Sequence, residues 1–296
     1  MDLAEVDFVA WPVSLLHCVI SPCGGILPVF NAIGHALSGP FSLIAYNLFE
    51  ETVKSNNHNM KNESRNVLIT GAGGNLGQGV VRQFVKEGFR VIATVEPGRS
   101  LGYDVPENVK VYPLNLRDEQ ETQGFVEMII NTYQSIDAAI LLVGGFLSGG
   151  IQAAKGEDLR QMFSLNFETA YFVARPVFLQ MQKQTQGGRI VLIGAKPGLQ
   201  PETGTKFLAY TLSKSLLFRL AEILNAEGQD NNIVTSVIVP STIDTPANRT
   251  QMPSADFSTW IRPEEIAATI EFLTSPLADR ITSPVVKFFG NGPRRK

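Results

Sequence analysis

From Arg65 onward, short apolar runs alternate with longer stretches whose apolar positions recur at helical spacing. The short runs predict strands at Val67–Thr70, Arg90–Val95, Val109–Leu114, Asp137–Val143, Arg189–Ile193, Ile233–Val239 and Val285–Phe289. They are rich in Val and Ile, as strands are when both faces of a sheet are covered. The longer stretches predict helices at Leu76–Glu87, Glu119–Tyr133, Gly156–Lys183, Leu208–Glu227 and Pro263–Thr274. Strand alternating with helix implies parallel strands joined by right-handed crossovers. The expected fold class is α/β: a doubly wound parallel sheet of about seven strands with helices on both faces.

The pattern before Arg65 is different. Between Asp7 and Glu50 there is no formally charged residue, yet Pro12, Pro22, Pro28, Pro40, Gly24, Gly25, Gly34 and Gly39 interrupt the apolar positions. A membrane-spanning helix needs about 20 apolar residues without such breakers. A secretory signal needs a basic start, whereas this chain opens with Asp2, Glu5 and Asp7. Three readings stay open. Met60 is the true start, or residues 1–59 are a membrane-associating or partner-binding extension, or they are a presequence or disordered leader. The expected division is an atypical extension at 1–63 and a single domain at 64–296, the latter cytoplasmic and not membrane-bound.

Composition narrows the chemistry. The chain has 296 residues, 44% of them hydrophobic, which suffices for one large domain with a buried sheet. The net charge is −3 and no basic stripe occurs, so nucleic acid is not an expected partner. The basic run Arg294, Arg295, Lys296 reads as a solvated tail. Both cysteines (Cys18, Cys23) and all three histidines (His17, His35, His58) precede Met60. Residues 60–296 therefore hold no Ser-His-Asp or Cys-His pair and no Cys/His zinc site, and no metal is expected. A proton donor there must be Tyr, Lys, Asp or Glu.

The first strand runs directly into Thr70-Gly71-Ala72-Gly73-Gly74-Asn75-Leu76-Gly77, and a helix follows. Glycines permit a tight turn and close backbone approach to a pyrophosphate, and the helix N-terminus offers N–H groups to that anion. Between a strand and a helix, this is the context a Rossmann-type dinucleotide site requires. Glu96 ends the second strand, 25 positions after Gly71. A carboxylate there accepts hydrogen bonds from ribose hydroxyls and repels a 2′-phosphate, which favours NADH. Arg99, three residues on, keeps NADPH open.

Tyr210-Thr211-Leu212-Ser213-Lys214 opens a predicted helix, and the i, i+4 spacing puts tyrosine and lysine on one face. An ammonium beside a phenol stabilises the phenolate and is expected to lower a pKa that is ordinarily about 10.

With this motif behind a Gly-rich turn, residues 65–292 resemble the short-chain dehydrogenase/reductases. The resemblance implies a nicotinamide cofactor, hydride transfer to a small-molecule substrate, and proton transfer by Tyr210 with Lys214 beside it. Asn166 matches the family asparagine that holds a relay water. Gly71, Gly73, Gly74, Asn75, Leu76, Gly77, Glu96, Asn115, Gly144, Lys214, Pro240 and Thr245 fall at cofactor-binding positions. Asn115 stands where relatives often carry an adenine-contacting aspartate, and Thr245 matches a threonine near the nicotinamide carboxamide.

Departures from the pattern direct the reading further. Ala195 stands where the family carries its catalytic serine after the fifth strand. Leu141-Leu142-Val143-Gly144 replaces Asn-Asn-Ala-Gly, and Asn75 replaces a common glycine. Dihydropteridine reductase-like members also lack that serine. They resemble this chain over Gly194-Ala195-Lys196, Asp244–Arg249 and Met252–Trp260. The resemblance implies reduction of a quinonoid dihydropterin, an imine-like ring that needs no oxyanion-positioning hydroxyl. Asn166 departs from that branch, where a smaller hydroxyl residue aligns. Other small carbonyl or imine substrates, a membrane-tethered enzyme anchored through residues 8–48 and a silent cofactor-binding sensor or scaffold remain alternatives. Relatives commonly form homodimers or homotetramers through their long helices. Ala170, Phe172, Val173, Val177 and Phe178 suit either such a face or the sheet.

Overall fold

The computed structural model describes residues 65–103 and 105–290. The N-terminal extension, the Met60 start and the basic tail lie outside the described residues.

Seven strands form one sheet: β1 (Asn66–Thr70), β2 (Arg90–Val95), β3 (Val109–Pro113), β4 (Ala138–Leu141), β5 (Gly188–Ile193), β6 (Ile233–Pro240) and β7 (Val285–Phe288). Their order is β3-β2-β1-β4-β5-β6-β7, and every pairing is parallel. β1 is flanked by β2 and β4, with Val67 in register with Val91 on one side and Ala138 on the other. Strand order reverses between β1 and β4. In an open α/β sheet that reversal leaves a crevice at the carboxyl ends of the strands.

The sheet is buried because consecutive strand residues feed two separate cores. Leu68, Ile190, Leu192, Val237 and Val239 point to one face, and Val67, Ile69, Val191 and Ile238 to the other. The first face packs against α2 (Glu119–Tyr133) through Phe125 and Ile129, and α4 (Thr169–Met181) through Val173 and Val177. It also meets α6 (Leu208–Gly228) through Leu217 and Leu224. The second packs against α1 (Asn75–Lys86) through Val80 and Phe84, and α8 (Pro263–Thr274) through Ile266 and Ile270. Burial of each such apolar side chain contributes about 1.5–3 kcal/mol.

Helix boundaries follow from local chemistry. Asp118 caps α2 by accepting the Glu121 N–H at 2.9 Å, and Gln134 ends that helix in the left-handed region at φ 67°. Pro263 opens α8, where the Glu265 carboxylate accepts the Arg262 N–H at 2.9 Å.

One predicted helix is divided. The stretch Gly156–Lys183 forms α3 (Gly156–Phe163), a π-helical turn at Ser164–Glu168, and α4. The wider turn turns Asn166 inward, fully buried. Ala170, Val173, Val177 and Phe178 belong to the sheet-facing core, which settles their direction, while Phe163 and Tyr171 are exposed.

Candidate active site

The residues singled out in the sequence gather along the carboxyl edge of the sheet. Gly71–Gly77 follow β1, Glu96 follows β2, Asn115 lies just past β3, Gly144 past β4, Ala195 past β5, and Pro240 is the last residue of β6.

The turn after β1 is built for backbone exposure. Gly71 has φ +66°, and a Cβ there would lie 3.1 Å from Val143 Cγ2. At Gly77 a Cβ would collide with the Gly71 carbonyl oxygen and stand 2.8 Å from both Ala72 Cα and its oxygen. Gly77 thus lets α1 lie against the strand end. Gly74 precedes the helix, no side chain caps it, and no acidic residue occupies its first turn. An uncapped helix start without a competing carboxylate suits a pyrophosphate. Asn75 and Leu76 open α1, the Asn75 side chain pointing outward, so its Cβ does not obstruct the turn. The residues present fit a dinucleotide.

Glu96-Pro97-Gly98-Arg99 is a tight turn with Gly98 at φ +84° and the Arg99 N–H on the Glu96 carbonyl at 2.9 Å. The Arg99 guanidinium pairs with the Glu96 carboxylate at 3.1 Å, both side chains being more than 70% exposed. A pair so exposed contributes little and either partner can leave it. Asn115 uses its side-chain oxygen to accept the Arg117 N–H at 3.3 Å, which shapes the loop into α2.

Tyr210 and Lys214 lie in the first two turns of α6, as the spacing predicts. Lys214 is buried and its Nζ donates to the Ile193 carbonyl at the end of β5, at 2.7 Å. Burial lowers the Lys214 ammonium to about 8 and pushes the Tyr210 phenol up to about 12. The tyrosine shift is opposite to the expected one. Lys214 Nζ is held by the strand carbonyl, and exclusion of water from the phenol dominates.

Asn166 lies buried behind the turn after β4. Its Oδ1 accepts the Gly145 N–H at 2.8 Å, while Nδ2 donates to the Gly145 carbonyl at 3.1 Å and to Ser213 Oγ at 2.9 Å. The side chain clamps the turn after β4 and is fully engaged in doing so. Gly144 lies against both inner groups: a Cβ there would come within 2.7 Å of Asn166 Oδ1 and 2.9 Å of Lys214 Nζ.

Ala195 is buried between β5 and the short α5 (Lys196–Leu199) and offers no hydroxyl. Thr245 caps α7 (Pro246–Gln251) by accepting the Asn248 N–H at 3.2 Å. The segment Asp244–Trp260 is a folded loop with its own internal contacts. Its ends meet where Asp244 N donates to the Ile261 carbonyl at 2.7 Å. Inside it, Arg249 grips the Asp244 carboxylate with two bonds of 2.6 and 2.8 Å and stacks on Phe257 at 4.8 Å, with Trp260 packed behind.

Phe146 is a site residue that the helix and strand pattern misses. It is 54% exposed and meets the rings of Tyr210 and Phe207 edge-on at 5.1 and 5.0 Å. The only local signal is an aromatic side chain directly after Gly144-Gly145.

Residues 65–255 match the family model described as short chain dehydrogenase. The chain belongs to the short-chain dehydrogenase family. It is an oxidoreductase with a Rossmann-type sheet. Relatives within this family differ in what they are named for. The chain is 28% identical over 234 residues to the dihydropteridine reductase of Dictyostelium discoideum, covering 76% of this chain and 94% of that protein. It is 27% identical over 241 residues to the 2,3-dihydro-2,3-dihydroxybenzoate dehydrogenase of Escherichia coli, covering 74% and 92%. Among solved structures, ElxO with NADP bound shares the fold at a TM-score of 0.70 and 24% identity, covering 76% of this chain and 97% of that one. No helix among the described residues is long and apolar enough to cross a membrane.

Proposed function

We propose that this short-chain dehydrogenase family member is an NAD(P)H-dependent reductase of an imine-like ring, quinonoid dihydropterin or a close analogue, with Tyr210 as proton donor. The observation that carries the reading is the placement of Tyr210 and the buried Lys214 one helical turn apart at the start of α6, where the β5 end offers Ala195 instead of a hydroxyl. A phenol keeps its proton at neutral pH and can give it up when the substrate develops basicity. Similarity to a dihydropteridine reductase supports the substrate class.

The dinucleotide supplies the hydride. Gly71, Gly73, Gly74, Asn75, Leu76 and Gly77 hold its pyrophosphate against α1. Glu96 accepts the adenosine ribose hydroxyls and favours NADH, while Arg99, leaving its exposed pair, admits NADPH. Asn115 borders the adenine, and Gly144, Pro240, Thr245 and Lys214 border the nicotinamide end. Tyr210 Oη gives its proton to the ring nitrogen. The Lys214 ammonium stabilises the phenolate that remains, and Asn166 keeps the β4 turn in place. Phe146 and the Asp244–Trp260 loop exclude water from the ring.

The similarity to the dihydroxybenzoate-type dehydrogenase favours one second reading, reduction or oxidation of another small cyclic substrate. The proposed enzyme is cytoplasmic and a homodimer or homotetramer. The exposed apolar side chains Leu159, Phe163, Tyr171, Leu212 and Ile223 on α3, α4 and α6 support association. The test mixes the purified full chain with NADH and quinonoid dihydropterin and follows NADH absorbance. Oxidation that depends on the pterin is expected. Cofactor binding without oxidation would overturn the pterin reading.

A further inference from the structure

Behind the dyad, two buried side chains link the turn after β4 to the main chain of Tyr210. The Asn166 amide pairs with both polar groups of Gly145, then donates to Ser213 Oγ at 2.9 Å. Ser213 Oγ in turn donates to the Tyr210 carbonyl at 2.8 Å. Asn166 is fully buried and Ser213 is 2% exposed. A serine that bonds back within its own helix is ordinary. This one also accepts a bond from another element, and so ties the first turn of α6 to the turn after β4. Lys214 is anchored separately, on the Ile193 carbonyl.

We propose that Ser213 is a positioning residue: it transmits the Asn166 clamp to the main chain of Tyr210 and fixes the phenol relative to the Gly144–Gly145 turn. The proposal rests on Tyr210 being the proton donor. Replacing Ser213 with Ala removes the acceptor for one buried Asn166 N–H and the donor to the Tyr210 carbonyl. Both the β4 turn and the catalytic turn of α6 then lose a fixed partner. Nothing in the two sheet cores changes, because Ser213 belongs to neither. Threonine keeps the hydroxyl.

The test compares the full chain with Ser213→Ala and Ser213→Thr, first by amide hydrogen exchange and then by turnover with NADH and quinonoid dihydropterin. In Ser213→Ala, exchange at Gly145 and at Tyr210–Lys214 is expected to speed up about tenfold or more, with β1 and β5 unchanged. Turnover is expected to fall about 10- to 100-fold in kcat with KM and NADH affinity kept, because misplacement costs the chemical step. Ser213→Thr is expected to restore both. Wild-type exchange in Ser213→Ala, or acceleration spread evenly over the whole sheet, would overturn the proposal. The exchange measurement needs no substrate. A wild type that leaves the pterin unreduced would therefore sink the pterin reading while the role of Ser213 is still decided.

Discussion

Around β1 and β2 the site is made of main chain. Glycines clear space, a helix start presents its N–H groups, and the Glu96–Arg99 pair is exposed and loosely held. Around β4, β5 and β6 it is made of side chains tied across elements: Asn166 to Gly145 and Ser213, Lys214 to Ile193, Arg249 to Asp244. The first region answers to a ligand shared across the family, so its constraint is steric and shows as glycine. The second holds the side chains proposed to act on the substrate, with Ala195 and Phe146 beside them. A change in the first region should alter cofactor affinity. A change at the Tyr210, Ser213 or Asn166 side chains of the second should alter turnover with affinity kept.

The largest expected separation comes from Gly77→Ala. Its Cβ would collide with the Gly71 carbonyl and push α1 off the strand end. NADH affinity is expected to fall about 100-fold, equivalent to roughly 2.7 kcal/mol, as read by titration of nucleotide fluorescence. Affinity within a factor of about three of the wild type would mean that the turn does not hold the pyrophosphate.

A second separation is in pH. Burial holds Lys214 at about 8, so its ammonium is present below that value and lost above it. If the ammonium supports the Tyr210 phenolate, kcat/KM falls about tenfold per unit above pH 8. Stability moves the other way. Between about 8 and the ordinary lysine value of 10.5 the unfolded chain binds the extra proton, so stability rises with pH. From 10.0 to about 12 Tyr210 keeps its proton only when folded, and its contribution is lost as pH rises through that window. Activity that declines while thermal stability rises between pH 8 and 10 is the expected signature. A parallel decline of both would point to unfolding instead.

The smallest effect is expected at Ala195→Ser, which restores the family's hydroxyl. With an imine-like ring the rate should change less than about threefold, because no oxyanion needs positioning. A large gain in pterin turnover would mean that the missing serine limits this enzyme.

The sheet, the Gly-rich turn and the places of Tyr210 and Lys214 were legible in the sequence because each follows from local periodicity or fixed spacing. The π-turn at Ser164–Glu168 was not, since one widened turn leaves the apolar pattern of a 28-residue stretch intact. The side-chain partners of Asn166 lie 21 and 47 positions away, and Lys214 bonds a carbonyl 21 positions back. Those links exist only once the strands are ordered. The Tyr210 shift was expected in the wrong direction for the same reason. The i, i+4 spacing places an ammonium near the phenol but says nothing of burial, which dominates the result.

The most direct measurement is single-turnover reduction of quinonoid dihydropterin by NADH-loaded wild type and Tyr210→Phe, with NADH affinity determined for both. Removing the acid while keeping the ring is expected to slow the chemical step about 100-fold or more and leave affinity within about twofold. A Tyr210→Phe variant that binds NADH normally and reduces the pterin at the wild-type rate would contradict the account.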